Sequence, residues 1–232
     1  MISADLVAER LAGVRARIAR AGGTDVHVMG VTKTWGIDAV RIAAAVGCDA
    51  VGENFAQELA AKLAGQRDLP PVHFIGRLQT NKVRLVAPFI DVFETIDRAS
   101  LAAELAKRIP GATVLVQAST DADPDKGGCA LAEVPALVDT CRSLGLAVVG
   151  LMTVGPTEGG PEAARPGFRD VRTLFDRLGL AVCSMGMSDD LEIAVQEGST
   201  QVRVGSALFG PRVRPGVGAG ADGVVLAPPH PE

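Results

Sequence analysis

Short runs of β-branched and apolar residues recur along the chain at 27–31, 49–53, 72–76, 92–96, 113–118, 147–152, 181–185 and 201–205. Between most of them the apolar residues fall at helical spacing instead, over 37–46, 55–63, 101–109, 134–144 and 171–178. Gly47, Gly111, Gly145, Gly179 and Gly198 follow several of these segments, as expected where a helix ends in a left-handed residue and turns back into a strand. A further helix is predicted over 3–21, with Leu6, Val7, Leu11, Val14 and Ile18 on one stripe and Gly22-Gly23 as its stop. Eight strands alternating with helices predict a parallel sheet, either doubly wound or closed into a single (βα)8 barrel.

Two missing motifs weigh on that choice. No GxGxxG follows the first strand, which disfavours a dinucleotide-binding sheet, and no GxxxxGK[ST] supports a phosphate-binding loop of the nucleotide triphosphatases. The barrel is the favoured fold, and with no break in composition it is expected as one domain over residues 1–213. Residues 214–232, rich in Gly and Pro and without a helical period, are expected to form a disordered tail. Two connections, 119–128 and 155–167, are longer than a barrel requires and are candidates for binding loops or solvated linkers.

Composition narrows the function more than the fold. The chain has 232 residues, 47% hydrophobic and 22% charged, enough to bury a sizeable core. Seven Phe, one Trp and no Tyr leave that core to Ala, Val, Leu and Ile. A net charge of −4 argues against a nucleic-acid partner, no apolar run is long enough to span a bilayer, and a cytoplasmic monomer is the default expectation. Cys48, Cys129, Cys141 and Cys183 contain no CxxC pair, and His27, His73 and His230 show no ligand spacing. Reduced, buried thiols are expected in place of a metal or a disulfide framework. His73, inside the third strand, reads as a core histidine.

The chemistry concentrates where a barrel would place it. Active sites of such barrels lie at the C-terminal ends of the strands, where the connecting loops converge. In this chain those ends carry Lys33, Asn54, Gly76-Arg77, Met152-Thr153, the stretch from Ser184 to Ser188, and Arg203-Val204-Gly205-Ser206. Lys33 closes the apolar run Val28–Val31. It is either a lysine whose tip reaches water or an amine made nucleophilic by its surroundings and able to form a Schiff base. Gly205, Ser206 and Ser188 lie after the seventh and eighth predicted strands, where barrels commonly bind phosphate; alternatively, Ser188 caps a helix over 189–197. Arg203 shares the face of Gly205 and needs an acceptor, either a structural carboxylate or the ring nitrogen of a bound cofactor. Asn54 suits a ring oxygen or a simple turn, and Trp35 a site wall or loop packing. A lysine amine, a phosphate cradle and an interior arginine together fit pyridoxal 5′-phosphate (PLP).

Specific stretches then carry a resemblance. VTKT at 31–34, GENFAQE at 52–58, HFIGRLQTNK at 73–82, GLMTVGP at 150–156 and SMGMSDDLEIAVQEGSTQVRVGSALFG at 184–210 resemble the pyridoxal phosphate homeostasis protein family, also known as the proline synthetase co-transcribed type. The resemblance runs to about residue 212 and implies a barrel like the N-terminal domain of alanine racemase. It also implies that Lys33 is the Schiff-base lysine, that Asn54 lies beside the cofactor ring, and that Arg203 faces the pyridine nitrogen. Ser188, Gly205 and Ser206 would hold the phosphate, with Met152 near the cofactor face. Thr32, Arg77 and Ser206 stand where the family usually has Ser, His and Thr. The function implied is holding PLP and taking part in its intracellular homeostasis, with apo PLP-dependent enzymes as partners and without robust turnover. The alternative is a PLP-dependent amino-acid racemase. Two-base racemisation needs a second acid/base opposite the lysine, a tyrosine in alanine racemase, and this chain has no tyrosine.

Overall fold

Strand β1 (His27–Val31) pairs in parallel with β2 (Ala50–Glu53) on one side and β9 (Gln201–Val204) on the other. The computed structural model describes residues 2–121, 123 and 126–211. The order continues through β3 (Val72–Phe74) to β4 (Val92–Ile96), and in the other direction through β8 (Val182–Ser184) and β7 (Ala147–Thr153) to β5 (Thr113–Ser119). Pairing of β4 with β5 closes the ring, so eight parallel strands form the predicted barrel. A two-residue strand, β6 (Cys129–Ala130), is added beside the end of β5 and was not legible in the apolar pattern.

Around the barrel lie α1 (Ala4–Arg20), α2 (Ile37–Ala45), α3 (Ala56–Leu63), α4 (Val83–Val86), α5 (Ala99–Arg108), α6 (Val134–Ser143), α7 (Arg165–Leu178), α8 (Leu191–Gln196) and α9 (Ser206–Phe209). Ser3 caps α1 by accepting the Leu6 N–H, and Val7, Leu11, Val14 and Ile18 are its buried stripe. Helix α7 begins six residues before its predicted start. Its Pro166 lies in the first turn, where the missing N–H leaves no helical bond unmade. The predicted disordered tail, 214–232, lies outside the described residues.

Alternation along the strands sorts side chains between two cores. Val28, Val51, Phe74, Phe93, Val114, Val116, Leu151, Cys183, Val202 and Val204 pack against the helices. Met29 and Ile75 face the other way: a Cβ placed on Gly52 would come within 2.8 Å of both, so Gly52 leaves room for them in the barrel interior. Gly76 is equally constrained, because a Cβ there would lie 2.0 Å from the Asn54 carbonyl oxygen. All four cysteines are buried thiols, and burial pushes them up to about 11 for Cys48, Cys129 and Cys141 and about 12 for Cys183.

The wall behind Lys33 is held by buried charge. Thr32 turns outward and donates to Glu53 Oε1 at 2.6 Å. Lys62 of α3, almost fully buried, donates to Glu53 Oε1 at 2.7 Å and to the Thr32 carbonyl at 2.9 Å, and pairs with Glu58 at 2.9 Å. Glu58 also accepts the N–H of Thr34, whose φ of 69° is left-handed. Burial raises the Glu53 carboxyl, against the opposing pull of Lys62 and Thr32. Removing one member of such a pair strands the other charge in a dry wall, at about 3–5 kcal/mol. Lys62→Met is therefore expected to lower unfolding free energy by that order in urea titration; a loss below about 1 kcal/mol would show the pair to be dispensable.

Candidate functional site

The C-terminal ends of the strands surround a cavity of about 430 Å³. It is lined by Val31, Lys33, Trp35, Asn54, Ile75, Gly76, Arg77, Lys126, Val154, Met187, Ser188, Asp189, Arg203, Gly205, Ser206 and Gly210. Six of the seven residues singled out from the sequence (Lys33, Asn54, Ser188, Arg203, Gly205 and Ser206) thus share one space. Met152 does not join them. It is buried in β7, between Gln117 of β5 and Ser184 of β8, and is not among the lining residues.

Lys33 is half-buried and follows Val31 on the inner side of β1 by the two-residue period of a strand. Opposite the Thr32–Glu53–Lys62 group, it is the lysine of this wall that opens into the cavity. Trp35 leans on Phe209 with ring centroids 6.1 Å apart and closes one side.

Arg203 is 3% exposed and rises from β9 inside the barrel. One terminal nitrogen donates to the Ser184 carbonyl and hydroxyl, each at 2.7 Å, and the other donates to the Thr153 carbonyl at 2.6 Å. Its acceptors among the described residues are thus two main-chain carbonyls and a serine, with no direct bond to a carboxylate. Burial pulls the guanidinium below its ordinary pKa, and Glu94 and Asp190 oppose that pull. Arginine nonetheless stays protonated, because its starting value is so high.

Glu94, fully buried in β4, was not singled out from the sequence, although a carboxylate in the run Val92–Ile96 was the available signal. Its Oε1 lies 2.6 Å from His73 Nδ1 and accepts from Gln201 Nε2 at 2.7 Å, and its Oε2 accepts from Ser184 Oγ at 2.7 Å. Burial alone would raise this carboxyl; His73, Arg203 and Ser184 outweigh it and hold it below the usual carboxylate range. His73 is thus a core histidine with a carboxylate partner.

The predicted phosphate residues fall on two adjoining turns. Ser188 does not cap the following helix, in contrast to one of the two readings from sequence. Helix α8 starts at Leu191 behind Asp190, whose carboxylate accepts the Met187 N–H at 2.5 Å. The Ser188 hydroxyl instead accepts the Ala207 N–H at 3.3 Å, tying the turn after β8 to α9. Gly186, at φ 95°, has no room for a Cβ, which would sit 2.5 Å from Ala194. Gly205 differs: φ is −111°, and the nearest protein atom to an added Cβ would be 3.5 Å away. Packing does not demand glycine there, so its effect is to keep the cavity floor open.

Lys126, absent from the sequence reading, reaches the mouth from the loop after β5. It donates to the Gly155 carbonyl at 2.9 Å and to Asp121 at 2.5 Å, linking the loops 119–128 and 155–167. Asn54 lines the cavity, and its Oδ1 is buried with no hydrogen-bond partner among the described residues. An orphaned acceptor of this kind calls for a donor from a bound molecule. A hydroxyl on an aromatic ring, an aldehyde beside Lys33, an acceptor nitrogen facing Arg203 and a phosphate at Ser188, Gly205 and Ser206 would together suit this donor set, so the residues fit PLP.

Known proteins share this fold. Residues 2–213 match the family described as alanine racemase, N-terminal domain. Alanine racemase of Clostridium difficile shares the fold at a TM-score of 0.69 and 14% identity, covering 93% of this chain and 59% of that one. PipY of Synechococcus elongatus, solved with PLP bound, is similar at a TM-score of 0.75 and 32% identity, covering 88% of this chain and all of that one. The pyridoxal phosphate homeostasis protein of Pseudomonas aeruginosa is 40% identical over 220 residues, 89% of this chain and 96% of the relative. A closed parallel barrel with this cavity, and relatives this similar over nearly their whole length, make the chain a member of the pyridoxal phosphate homeostasis protein family.

Proposed function

We propose that this chain holds pyridoxal 5′-phosphate in the cavity at the barrel mouth and serves intracellular PLP homeostasis, without robust catalytic turnover. The observation that carries the reading is the convergence of Lys33, Asn54, Arg203, Gly205 and Ser206 on one space, with the buried Asn54 Oδ1 lacking a donor among the described residues. When bound, PLP supplies an aldehyde that condenses with a lysine amine, and Lys33 is the amine proposed for it. Asn54 accepts a hydrogen bond from the ring substituent, and the Ser188 and Ser206 hydroxyls donate to phosphate, with Gly205 leaving the backbone within reach.

Arg203 decides the electronic character of the site. A guanidinium can only donate, so it favours a ring nitrogen without a proton. Such a ring withdraws electrons weakly, which suits storage better than carbanion chemistry. Racemisation of the two-base kind also needs a second proton carrier opposite the lysine, and the tyrosine that alanine racemase uses has no counterpart in a chain without tyrosine. Release to apo PLP-dependent enzymes, and action as a cytoplasmic monomer, belong to the same proposal.

Purified protein is expected to be yellow, and Lys33→Ala to lose the near-visible absorbance of the lysine-bound cofactor; an unchanged spectrum would move the attachment to another lysine. Ser188→Ala combined with Ser206→Ala is expected to weaken PLP by about tenfold or more, the size of lost charge-assisted hydrogen bonds, while pyridoxal binding changes little. Equal weakening of both ligands would refute the phosphate assignment. Incubation of the loaded protein with single L-amino acids is expected to give no saturable racemisation by chiral chromatography, and robust turnover would favour the racemase reading.

A further inference from the structure

The interior of the barrel contains a polar cluster whose hydrogens follow from its donors and from the charge on Glu94. Ser184 Oγ receives an N–H from Arg203 at 2.7 Å and one from the Gln201 amide at 3.1 Å. Both neighbours can only donate through these nitrogens, so the single Ser184 hydrogen goes to Glu94 Oε2, 2.7 Å away. The other carboxylate oxygen accepts from Gln201 at 2.7 Å and lies 2.6 Å from His73 Nδ1. Oε2 is thus an acceptor, and because His73, Arg203 and Ser184 together hold the carboxyl below its usual range, Glu94 is a carboxylate and the His73 proton sits on Nδ1. The negative charge reaches Arg203 through one serine hydroxyl, and every bond in the chain runs in one direction.

We infer that Glu94 is a positioning residue for the cofactor ring: through Ser184 it fixes the orientation of the Arg203 guanidinium and so the hydrogen bond offered to the ring nitrogen. The inference rests on the PLP reading and adds to it a residue from the far side of the barrel that cannot touch the cavity itself. Alternative partners for Arg203 are main-chain carbonyls, of Ser184 and Thr153, which hold the side chain in place but bring no net charge. Glu94 and Asp190 are the buried carboxylates whose charge acts on it, and Glu94 is the one joined to it through the Ser184 hydroxyl. With Gln at 94 the charge is lost, and the amide turns a donor either toward Ser184, whose hydrogen then loses its acceptor, or toward His73 and Gln201; either way Arg203 loses the charge that held its orientation.

The test compares PLP with its analogue carrying carbon in place of the ring nitrogen, titrated by absorbance against wild type, Glu94→Gln and Ser184→Ala. Wild type is expected to prefer PLP by about tenfold, as one charge-assisted hydrogen bond would give. Both variants are expected to shrink that preference to about twofold, mainly by weakening PLP. Ser184→Ala breaks the relay while leaving Glu94 in place, so it decides the matter even if Glu94→Gln does not fold. A wild-type preference retained in Ser184→Ala, or equal weakening of both ligands, would show that the cluster only supports the barrel. If wild type binds neither ligand, the PLP reading itself falls, an outcome distinct from the other two.

Discussion

A guanidinium that cannot lose its proton lies almost fully buried inside this barrel, and the arrangement of the interior follows from that. Arg203 stands on β9 and spends its donors on β8 and on the end of β7. A balancing charge comes from β4, and His73 on β3 supplies the remaining proton. Five of the eight strands therefore meet at one polar cluster. A one-residue slip of any of them would turn its member out into the helix layer and leave a buried charge or hydroxyl unpaired. Apolar packing alone would tolerate several registers; this cluster tolerates one.

The same strands present different chemistry on their outer side. There the Thr32–Glu53–Lys62 group ties the end of β1 to α3, and Glu58 catches the left-handed Thr34. Lys33 leaves a backbone that is fixed on both sides of its own residue. Pre-organisation of this sort lets a flexible side chain act from a rigid base.

Much of this architecture was legible in the sequence. The run 92–96 is strand β4 residue for residue, and every other predicted strand lies within two residues of the observed one. What fixed them was β-branched density bounded by Gly and polar turns, a local signal. The segment between β3 and β4 shows the limit: its helical residues come as short turns around the four-residue α4, too brief for any periodicity to register. Ser188 misled for a different reason. A serine before two aspartates resembles a cap, but Asp190 occupies that position, and only the tertiary approach of α9 gives Ser188 its partner. The grouping of Lys33, Asn54, Ser188, Arg203, Gly205 and Ser206 was readable because all six sit at strand ends. Met152 also stands near a strand end, but it is buried between Gln117 and Ser184 and does not line the cavity. Glu94 and Lys126 escaped notice because their roles depend on strands and loops distant in sequence.

Lys33 and Lys62 are two amines separated by little more than the thickness of one strand. The first opens on the mouth; the second is shared among Glu53, Glu58 and the Thr32 carbonyl behind the wall. An electrophile entering from solvent meets only one of them, much as a protecting group in synthesis masks one of two like functions. The period of the strand sends Lys33 inward, and the two carboxylates behind the wall keep Lys62 out of reach. Displacing β1 by a single residue would turn Lys33 into the wall beside Lys62 and take its amine out of the mouth.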